Sequence, residues 1–142
     1  MTRIDFYLLQ EQAQGNRFTL ACRLVEKAYR QQHRIFIYTA SQEESQHMDR
    51  LLWTYRQDSF IPHGLLHKVD TALTPVLIGH EDDAGNEHDV LVNLSNKVPA
   101  FFSRFERLAE PLDQTPELVT AGRERFRYYR ERGYPLNHHE IN

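Results

Sequence analysis

The sequence is poor in cysteine and has no long apolar run. Cys22 is its only cysteine, so no intramolecular disulfide can form, and its place in a helical apolar pattern predicts a reduced thiol in the core. No apolar stretch approaches the roughly 18 residues that span a bilayer, and the N-terminus lacks the apolar stretch of a secretory signal. We therefore expect a cytoplasmic protein that is stabilised by a hydrophobic core.

Positive charge is not in excess either. The 142 residues include 17 Lys and Arg against 20 Asp and Glu, a formal net charge of −3, which argues against a protein whose main task is to coat nucleic acid. Residues 79–89 hold five carboxylates and no Lys or Arg, whereas residues 123–132 hold five arginines. The composition, 40% hydrophobic and 26% charged, is typical of a soluble globular protein, and the length predicts one domain, residues 1–142.

The residues that nucleotide and covalent chemistry require are missing from the positions where they would be needed. Residues 9–15, after the first predicted strand, contain a single glycine, whereas phosphate-binding loops use several. No Gly-x-Ser-x-Gly elbow is present. His80, His88 and the carboxylates between them could be metal ligands, but a solvated polar turn is the more common structure for such a segment. We therefore expect no catalytic residue, cofactor or metal, and an enzyme is the least favoured class.

Strand and helix patterns alternate, which is typical of an α/β sheet with right-handed crossovers. The predicted strands are residues 4–9, 34–39, 75–79, 89–94 and 105–111. The predicted helices begin at Asn16, at Ser41, which forms a capping box with Glu44, at residue 99 and at Thr115, and Gly133 is the left-handed cap that ends the last one. Residues 56–74 are predicted to be a long loop, residues 75–79 and 89–94 could pair as a hairpin, and the last six residues are predicted to be a loose tail.

Large apolar side chains are concentrated at the end of the second predicted helix and in the loop after it. They are Trp53, Tyr55, Phe60, Ile61 and Pro62. Such a cluster is either a lid on the core or an exposed apolar patch that binds another protein. The residues alone do not separate these two interpretations.

A basic stripe marks the last predicted helix. Arg123, Phe126, Arg127 and Arg130 fall at offsets of three, four and seven, so they share one helix face. This face is either an ordinary solvated charged surface or a site where arginines beside an aromatic ring hold the acidic end of a peptide.

A rival hypothesis uses the same helix to bind single-stranded nucleic acid. Tyr128, Tyr129 and Tyr134 would stack on bases, and the arginines would contact phosphates. The net negative charge and the acidic segment at residues 79–89 make this the weaker hypothesis.

Two segments resemble a known family. Residues 123–137 look like the C-terminal helix and cap of the chi subunit of the bacterial DNA polymerase III clamp loader, and Leu52 and Trp53 with residues 59–63 look like the tryptophan segment of that family. The first strand, residues 6–9, matches as well, and the similarity runs through nearly the whole chain. The resemblance implies a Rossmann-like three-layer α/β sandwich, with a mostly parallel sheet, helices on both faces and no nucleotide-binding loop.

The resemblance also implies partners and no catalytic activity. Chi-like proteins form a heterodimer with the psi subunit and capture the acidic C-terminal tail of single-stranded-DNA-binding protein (SSB), so they tether the clamp loader to coated template and contact nucleic acid mostly indirectly. The positions implied to face psi are Trp53, Phe60, Ile61 and Pro62. The positions implied to lie in or beside the tail site are Arg123, Phe126, Arg127, Arg130, Gly133, Tyr134 and Leu136. Whether a helicase also docks at the psi-facing positions is left open.

Two positions depart from the family pattern. Val119 stands where the family's basic rim can carry a lysine, and Phe126 stands where the family has a tyrosine, so a hydroxyl is lost. The resemblance therefore implies a tail site that is less basic on one side.

Overall fold

The computed structural model describes residues 1–58 and 60–142. Seven strands form one sheet in the order β3-β4-β2-β5-β6-β1-β7, and every pair of neighbours is parallel. The strands are β1 (Arg3–Leu9), β2 (Ile35–Tyr38), β3 (His63–Leu65), β4 (Val76–Gly79), β5 (Val90–Asn93), β6 (Arg107–Leu112) and β7 (Leu136–Ile141). The helices are α1 (Arg17–Arg30), α2 (Gln42–Thr54) and α3 (Pro116–Glu131), with short 3₁₀ helices at Thr71–Leu73 and Phe102–Arg104.

The centre of the sheet is covered on both faces. Every residue of β2 and β5 is buried, and Ile35 lies between Val76 of β4 and Val90 of β5. Continuous apolar runs suit such strands because neither face meets water. The prediction of a doubly covered parallel strand near residues 34–39 is therefore confirmed.

Helices form a layer on each side of the sheet. Alternate residues of β2 point to opposite faces, so that Ile35 joins a first core cluster with Cys22 of α1 and Met48 of α2, while Phe36 joins a second cluster with Tyr129 of α3. The fold is thus the predicted Rossmann-like three-layer α/β sandwich. In the described part of the chain, no helix is both long and apolar enough to cross a membrane.

Side-chain caps explain where α1 and α2 begin. The Asn16 side chain accepts hydrogen bonds from the backbone N–H groups of Phe18 and Thr19, at 2.9 and 3.1 Å. The Ser41 hydroxyl accepts from the N–H of Glu44 at 3.2 Å, as predicted. In a full capping box the Glu44 carboxylate would accept from the N–H of Ser41. Here it accepts from the N–H of Ala40 at 3.1 Å, one residue earlier.

The predicted hairpin of residues 75–79 and 89–94 is wrong. β4 and β5 both run parallel to β2 and flank it on opposite sides, so the acidic segment between them is a crossover. Several of its carboxylates have partners within the fold: Asp82, which is exposed, accepts from the Tyr38 hydroxyl at 2.8 Å and from Lys97 at 3.2 Å, and the buried Glu87 pairs with Arg34 at 3.0 Å. The Tyr38 hydroxyl and Lys97 hold the pKa of the Asp82 carboxyl below its usual range.

The predicted long loop at residues 56–74 contains regular structure. β3 pairs with β4 at the edge of the sheet, and a 3₁₀ turn follows at Thr71–Leu73. A strand of three residues is too short to show the two-residue alternation on which strand prediction rests, so the sequence pattern did not reveal it.

The predicted loose tail is also wrong, although the predicted glycine cap at the end of the last helix is confirmed. Gly133 has φ of +81°, the left-handed cap, and the N–H of Tyr134 donates to the carbonyl of Tyr129 at 3.2 Å, which completes a Schellman-type helix end. The chain then forms β7, which pairs with β1. β7 is mostly polar because it is an edge strand, so no apolar alternation marked it.

Candidate functional site

A groove runs between α3 and the strands beneath it. Its volume is about 290 Å³, and it is lined by Phe6, Leu8, Leu112, Val119, Gly122, Arg123, Phe126 and His138. Residues of β1 and β6 form an apolar floor, α3 forms one wall, and His138 of the edge strand β7 stands on the other side. The groove therefore offers an apolar interior with Arg123 and His138 as its basic groups.

Close packing of α3 shapes this groove. A Cβ atom at Gly122 would lie 2.6 Å from a Leu112 methyl group, so only glycine allows α3 to approach β6 this closely without moving Leu112. The ring of Phe126 packs edge-on against Phe6, with centroids 5.2 Å apart. Phe126 lacks the hydroxyl of the family's tyrosine, and its apolar ring suits the contact with the apolar ring of Phe6.

The structure brings two of the predicted tail-site residues, Arg123 and Phe126, directly into the groove. Arg130 lies two turns along α3 from Arg123 on the same side, and Arg127 is on the adjoining part of that face. All three arginines are exposed, and within the described residues none has a carboxylate closer than 4.0 Å. Their positive charge is therefore available to a ligand.

The other three predicted tail-site residues lie outside the groove lining. Gly133 forms the helix cap, Tyr134 packs against Phe102 with ring centroids 5.1 Å apart, and Leu136 joins the second core cluster. They fix the end of α3 and the start of β7, and in this way position His138.

A fourth arginine of α3 has a different environment. The Arg125 side chain is 6% exposed and its Nη2 lies 3.1 Å from Oε1 of Glu110, which is fully buried. Glu110 Oε2 also accepts hydrogen bonds from the Tyr129 hydroxyl at 2.7 Å and from the Asn93 amide at 3.0 Å. Burial, then the Glu110 charge, raises the pKa of Tyr129. Arg125 is structural, so counting arginines along residues 123–132 overestimates the charge of the surface.

The structure removes one of the three tyrosines on which the nucleic-acid hypothesis for this helix depends. Tyr129 is fully buried. Tyr128 and Tyr134 both pack against Phe102, and the Arg132 guanidinium covers the Tyr128 ring at 3.4 Å from its centroid. The proposed base-stacking role of this set is therefore wrong for Tyr129, and the other two rings are engaged in the protein.

A second surface is formed by exposed aromatic rings at the other edge of the sheet. Trp53 and Phe60 are 57% and 62% exposed, and their ring centroids are 5.3 Å apart. We call this pair the Trp53 patch. Pro62 is half-buried beside it, whereas Ile61 is 2% exposed and belongs to the first core cluster. Ile61 therefore anchors the segment, and Trp53 and Phe60 supply its free apolar surface.

Buried polar contacts hold the Trp53 patch in place. The His63 ring meets Trp53 edge-on at 4.9 Å, and its two nitrogens lie 2.7 Å from the Ile61 carbonyl and 2.9 Å from the Asp49 carbonyl. These contacts join the segment after α2 back to α2 itself. The His63 role is visible only in the structure, because the Asp49 carbonyl lies 14 residues away.

The carboxyl ends of β1 and β6, where α/β proteins commonly bind nucleotides, border a hollow of about 310 Å³. Its lining includes Glu11 and Asp113 and no Lys or Arg, so it does not suit a phosphate group. Beside it, Arg17 Nη2 pairs with Glu44 at 3.0 Å, and the Arg17 backbone N–H donates to Asp113 at 3.0 Å. Among the described residues, no group of three or more His, Cys, Asp and Glu is placed to hold a metal ion. Burial raises the pKa of the Cys22 thiol to about 12, which keeps it protonated.

Comparison with known proteins gives a consistent picture. The model of a family described as DNA polymerase III chi subunit, HolC, matches residues 1–137. The chain is 39% identical to the DNA polymerase III subunit chi of Pseudomonas aeruginosa, over 99% of this chain and 98% of that protein. It is 26% identical to the Haemophilus influenzae protein of the same name, over 94% and 93% of the two chains, and 25% identical to that of Escherichia coli, over 96% and 97%.

Proposed function

The chain belongs to the DNA polymerase III chi subunit family, and on that basis we propose that it is a non-catalytic adaptor in DNA replication. In this proposal it links the clamp loader, through the psi subunit, to the acidic C-terminal tail of SSB. The observation that carries the proposal is the apolar groove beside α3, next to exposed arginines that have no carboxylate partner in the described part of the chain.

The groove has the chemistry that an acidic peptide end requires. An aromatic or aliphatic side chain of the tail enters between Phe6, Leu112 and Phe126, and Arg123 receives the carboxylates. Arg130 and Arg127 extend the positive surface along α3. Gly133, Tyr134 and Leu136 act indirectly, because they set where α3 ends and β7 begins.

The expected affinity for one tail is modest. Charge-assisted hydrogen bonds contribute about 1.5 to 3 kcal/mol each, and burial of a phenylalanine ring contributes a similar amount, about 1.5 to 3 kcal/mol. Association costs at least about 4 kcal/mol. The strongest binding expected for one tail is therefore a dissociation constant of about 1 μM, which corresponds to a binding free energy of about −8 kcal/mol. Many tails on one coated strand allow repeated capture without permanent attachment.

The Trp53 patch is the surface proposed for psi. Large apolar side chains at this exposure are unfavourable in water, and covering them supplies the main driving force of association. Ile61 and Pro62 support the patch from behind and beside it. A helicase with a matching apolar segment would compete for the same surface.

Titration of a labelled SSB tail peptide tests the adaptor proposal. Arg123→Ala should weaken binding several-fold and leave the melting temperature nearly unchanged, because this side chain is exposed and has no ion-pair partner among the described residues. Arg23→Ala is the matched control, since it removes the same charge from the exposed surface of α1 and should bind the peptide like wild type. Equal affinity of the wild-type and Arg123→Ala proteins would count against the site.

A further inference from the structure

On one face of the sheet, α1 borders β1, and in the described part of the chain no helix packs over the edge strand β7 on that face. α1 packs mainly against β6, β2 and β5, and α2 against β3 and β4, whereas α3 lies on the opposite side. The surface at this end of the sheet is formed by Arg3 and Tyr7 of β1, His139 of β7, Arg107 of β6 and Lys27 of α1, with the buried Asp5 beneath them. We call it the open face.

The open face carries excess positive charge. Arg3 and Arg107 occupy paired positions of adjacent strands, so they stand side by side. Lys27 and Arg107 line one small crevice, about 80 Å³ in volume, together with Asp5 and Tyr7. Asp5 is the carboxylate of this set; it is almost fully buried and lies 3.2 Å from Arg3 Nε and 2.9 Å from His139 Nε2. Within the described residues, neither Arg107 nor Lys27 has a carboxylate within 4.0 Å.

Two stacked rings lie beside these cations. Tyr7 and His139 occupy paired positions of β1 and β7, with ring centroids 4.7 Å apart and planes 15° from parallel. Asp5 fixes the orientation of the His139 ring through the 2.9 Å hydrogen bond. β7 is the last strand of the sheet, and the His139 side chain is 40% exposed, so the ring can receive a further planar group.

We propose that the open face binds single-stranded nucleic acid, with a base stacked on His139 and phosphates held by Arg3, Arg107 and Lys27. Aromatic stacking next to a basic track is the combination that binds single strands with little sequence preference. Arg3 and Tyr7 are four residues apart on one strand, about 13 Å, which suits contact with a short run of nucleotides.

The geometry separates this surface from the tail groove. Adjacent residues of a strand point to opposite faces, so Phe6 and His138 face the groove while Tyr7 and His139 face the open side. Both ligands can therefore be held at once. A weak contact is sufficient here, because capture of SSB tails would raise the local concentration of the strand.

Fluorescence anisotropy with a labelled oligothymidylate tests the proposal on the full chain. Wild type should bind at low salt, and the Arg3→Ala/Arg107→Ala double variant should bind at least about tenfold more weakly. The slope of log affinity against log salt should fall by about 0.7 for each phosphate contact removed. His139→Ala should weaken binding without changing this slope, since stacking does not release counterions.

Matched variants make the outcome decisive. Arg23→Ala removes a charge of α1 outside the open face and should bind the oligonucleotide like wild type. Arg3→Gln/Arg107→Gln, which keeps most of the side-chain volume, repeats the test if the alanine variant is unstable. Every sample is also titrated with the SSB tail peptide; Arg123→Ala should bind the peptide several-fold more weakly and bind the oligonucleotide like wild type. An absence of oligonucleotide binding by wild type at low salt, or equal binding by wild type and the double variants, would overturn the proposal whatever the peptide result.

Discussion

The groove beside α3 and the Trp53 patch differ in how each meets a partner. The groove is concave, its interior is apolar, and its basic groups stand at the rim. The patch is convex, consists of two exposed rings and contains no charge of its own. A groove with exposed arginines beside it suits reversible capture of a charged chain end, whereas exposed aromatic rings favour a partner that stays bound. The two regions also rest on different core clusters, so each can be changed separately.

The largest expected effect comes from the buried arginine below the groove. Arg125→Ala leaves Glu110 charged and buried without its partner, so the free energy of unfolding should fall by about 3 to 5 kcal/mol. Arg127→Ala, on the exposed side of the same helix, should change it by less than about 0.5 kcal/mol. Urea unfolding of both variants measures the difference. Adding Glu110→Gln to Arg125→Ala should recover part of the loss; no recovery would mean that the uncompensated charge is not the cause.

The next effect concerns the patch alone. Trp53→Ala should weaken psi binding by at least about 2 kcal/mol, roughly thirtyfold, because central aromatic residues dominate such interfaces. Binding of the SSB tail peptide should not change. Calorimetric titration of both ligands tests this separation, with Leu73→Ala, an exposed apolar residue outside the patch, as the control. If Trp53→Ala lowered both affinities equally, the two regions would not be independent.

A pH effect probes the core cluster that supports the patch. Burial, then the Glu26 charge, raises the pKa of Cys22 from 9.0 to about 12, so the folded chain holds the thiol proton more tightly than the unfolded chain. This contribution to stability is complete below pH 9.0 and is lost as the pH rises towards about 12. Urea unfolding across this range should show a smaller loss of stability for Cys22→Ala than for wild type. Identical pH dependence would argue against the buried thiol.

The smallest effect sharpens the description of the groove. His138→Ala should lower the affinity for the SSB tail peptide about twofold, because rim contacts in water contribute less than about 1 kcal/mol. His139→Ala is the matched control, since its side chain lies on the opposite face of β7 and should leave peptide affinity unchanged. Peptide titrations in which His139→Ala is the more damaging variant would contradict the assignment of faces.

Periodic segments were predicted well because their patterns follow directly from burial. β1, α1, β2 and α2 have clear apolar repeats, and the Gly133 cap follows from glycine's tolerance of positive φ. β3 and β7 were missed because one is very short and the other is a polar edge strand. The parallel pairing of β4 and β5 around β2 was missed because sequence spacing does not specify which strands are neighbours. The assignment of residues 1–142 to one domain stays a prediction.

Only those residues of the candidate site that lie on α3 were predicted from the sequence. Arg123 and Phe126 share a face of α3, so their spacing revealed them. Phe6, Leu112 and His138 come from three separate strands, and only the sheet order brings them together. The role of Arg125, which the sequence analysis only counted among the five arginines, was missed because helix spacing gives no information about Glu110, a charged residue in the middle of a buried strand. That charge within β6 was the one signal that a buried cation had to lie nearby.

The register of β7 determines on which face of the sheet each of the two histidine side chains lies. His138 pairs with Phe6 and His139 with Tyr7, so a deletion of one residue between the end of α3 and Leu136 would exchange the two imidazoles between the faces. The length of this connection therefore matters more than its composition. Homologous chains that differ here by a single insertion would be expected to carry a compensating change of sequence along the whole strand.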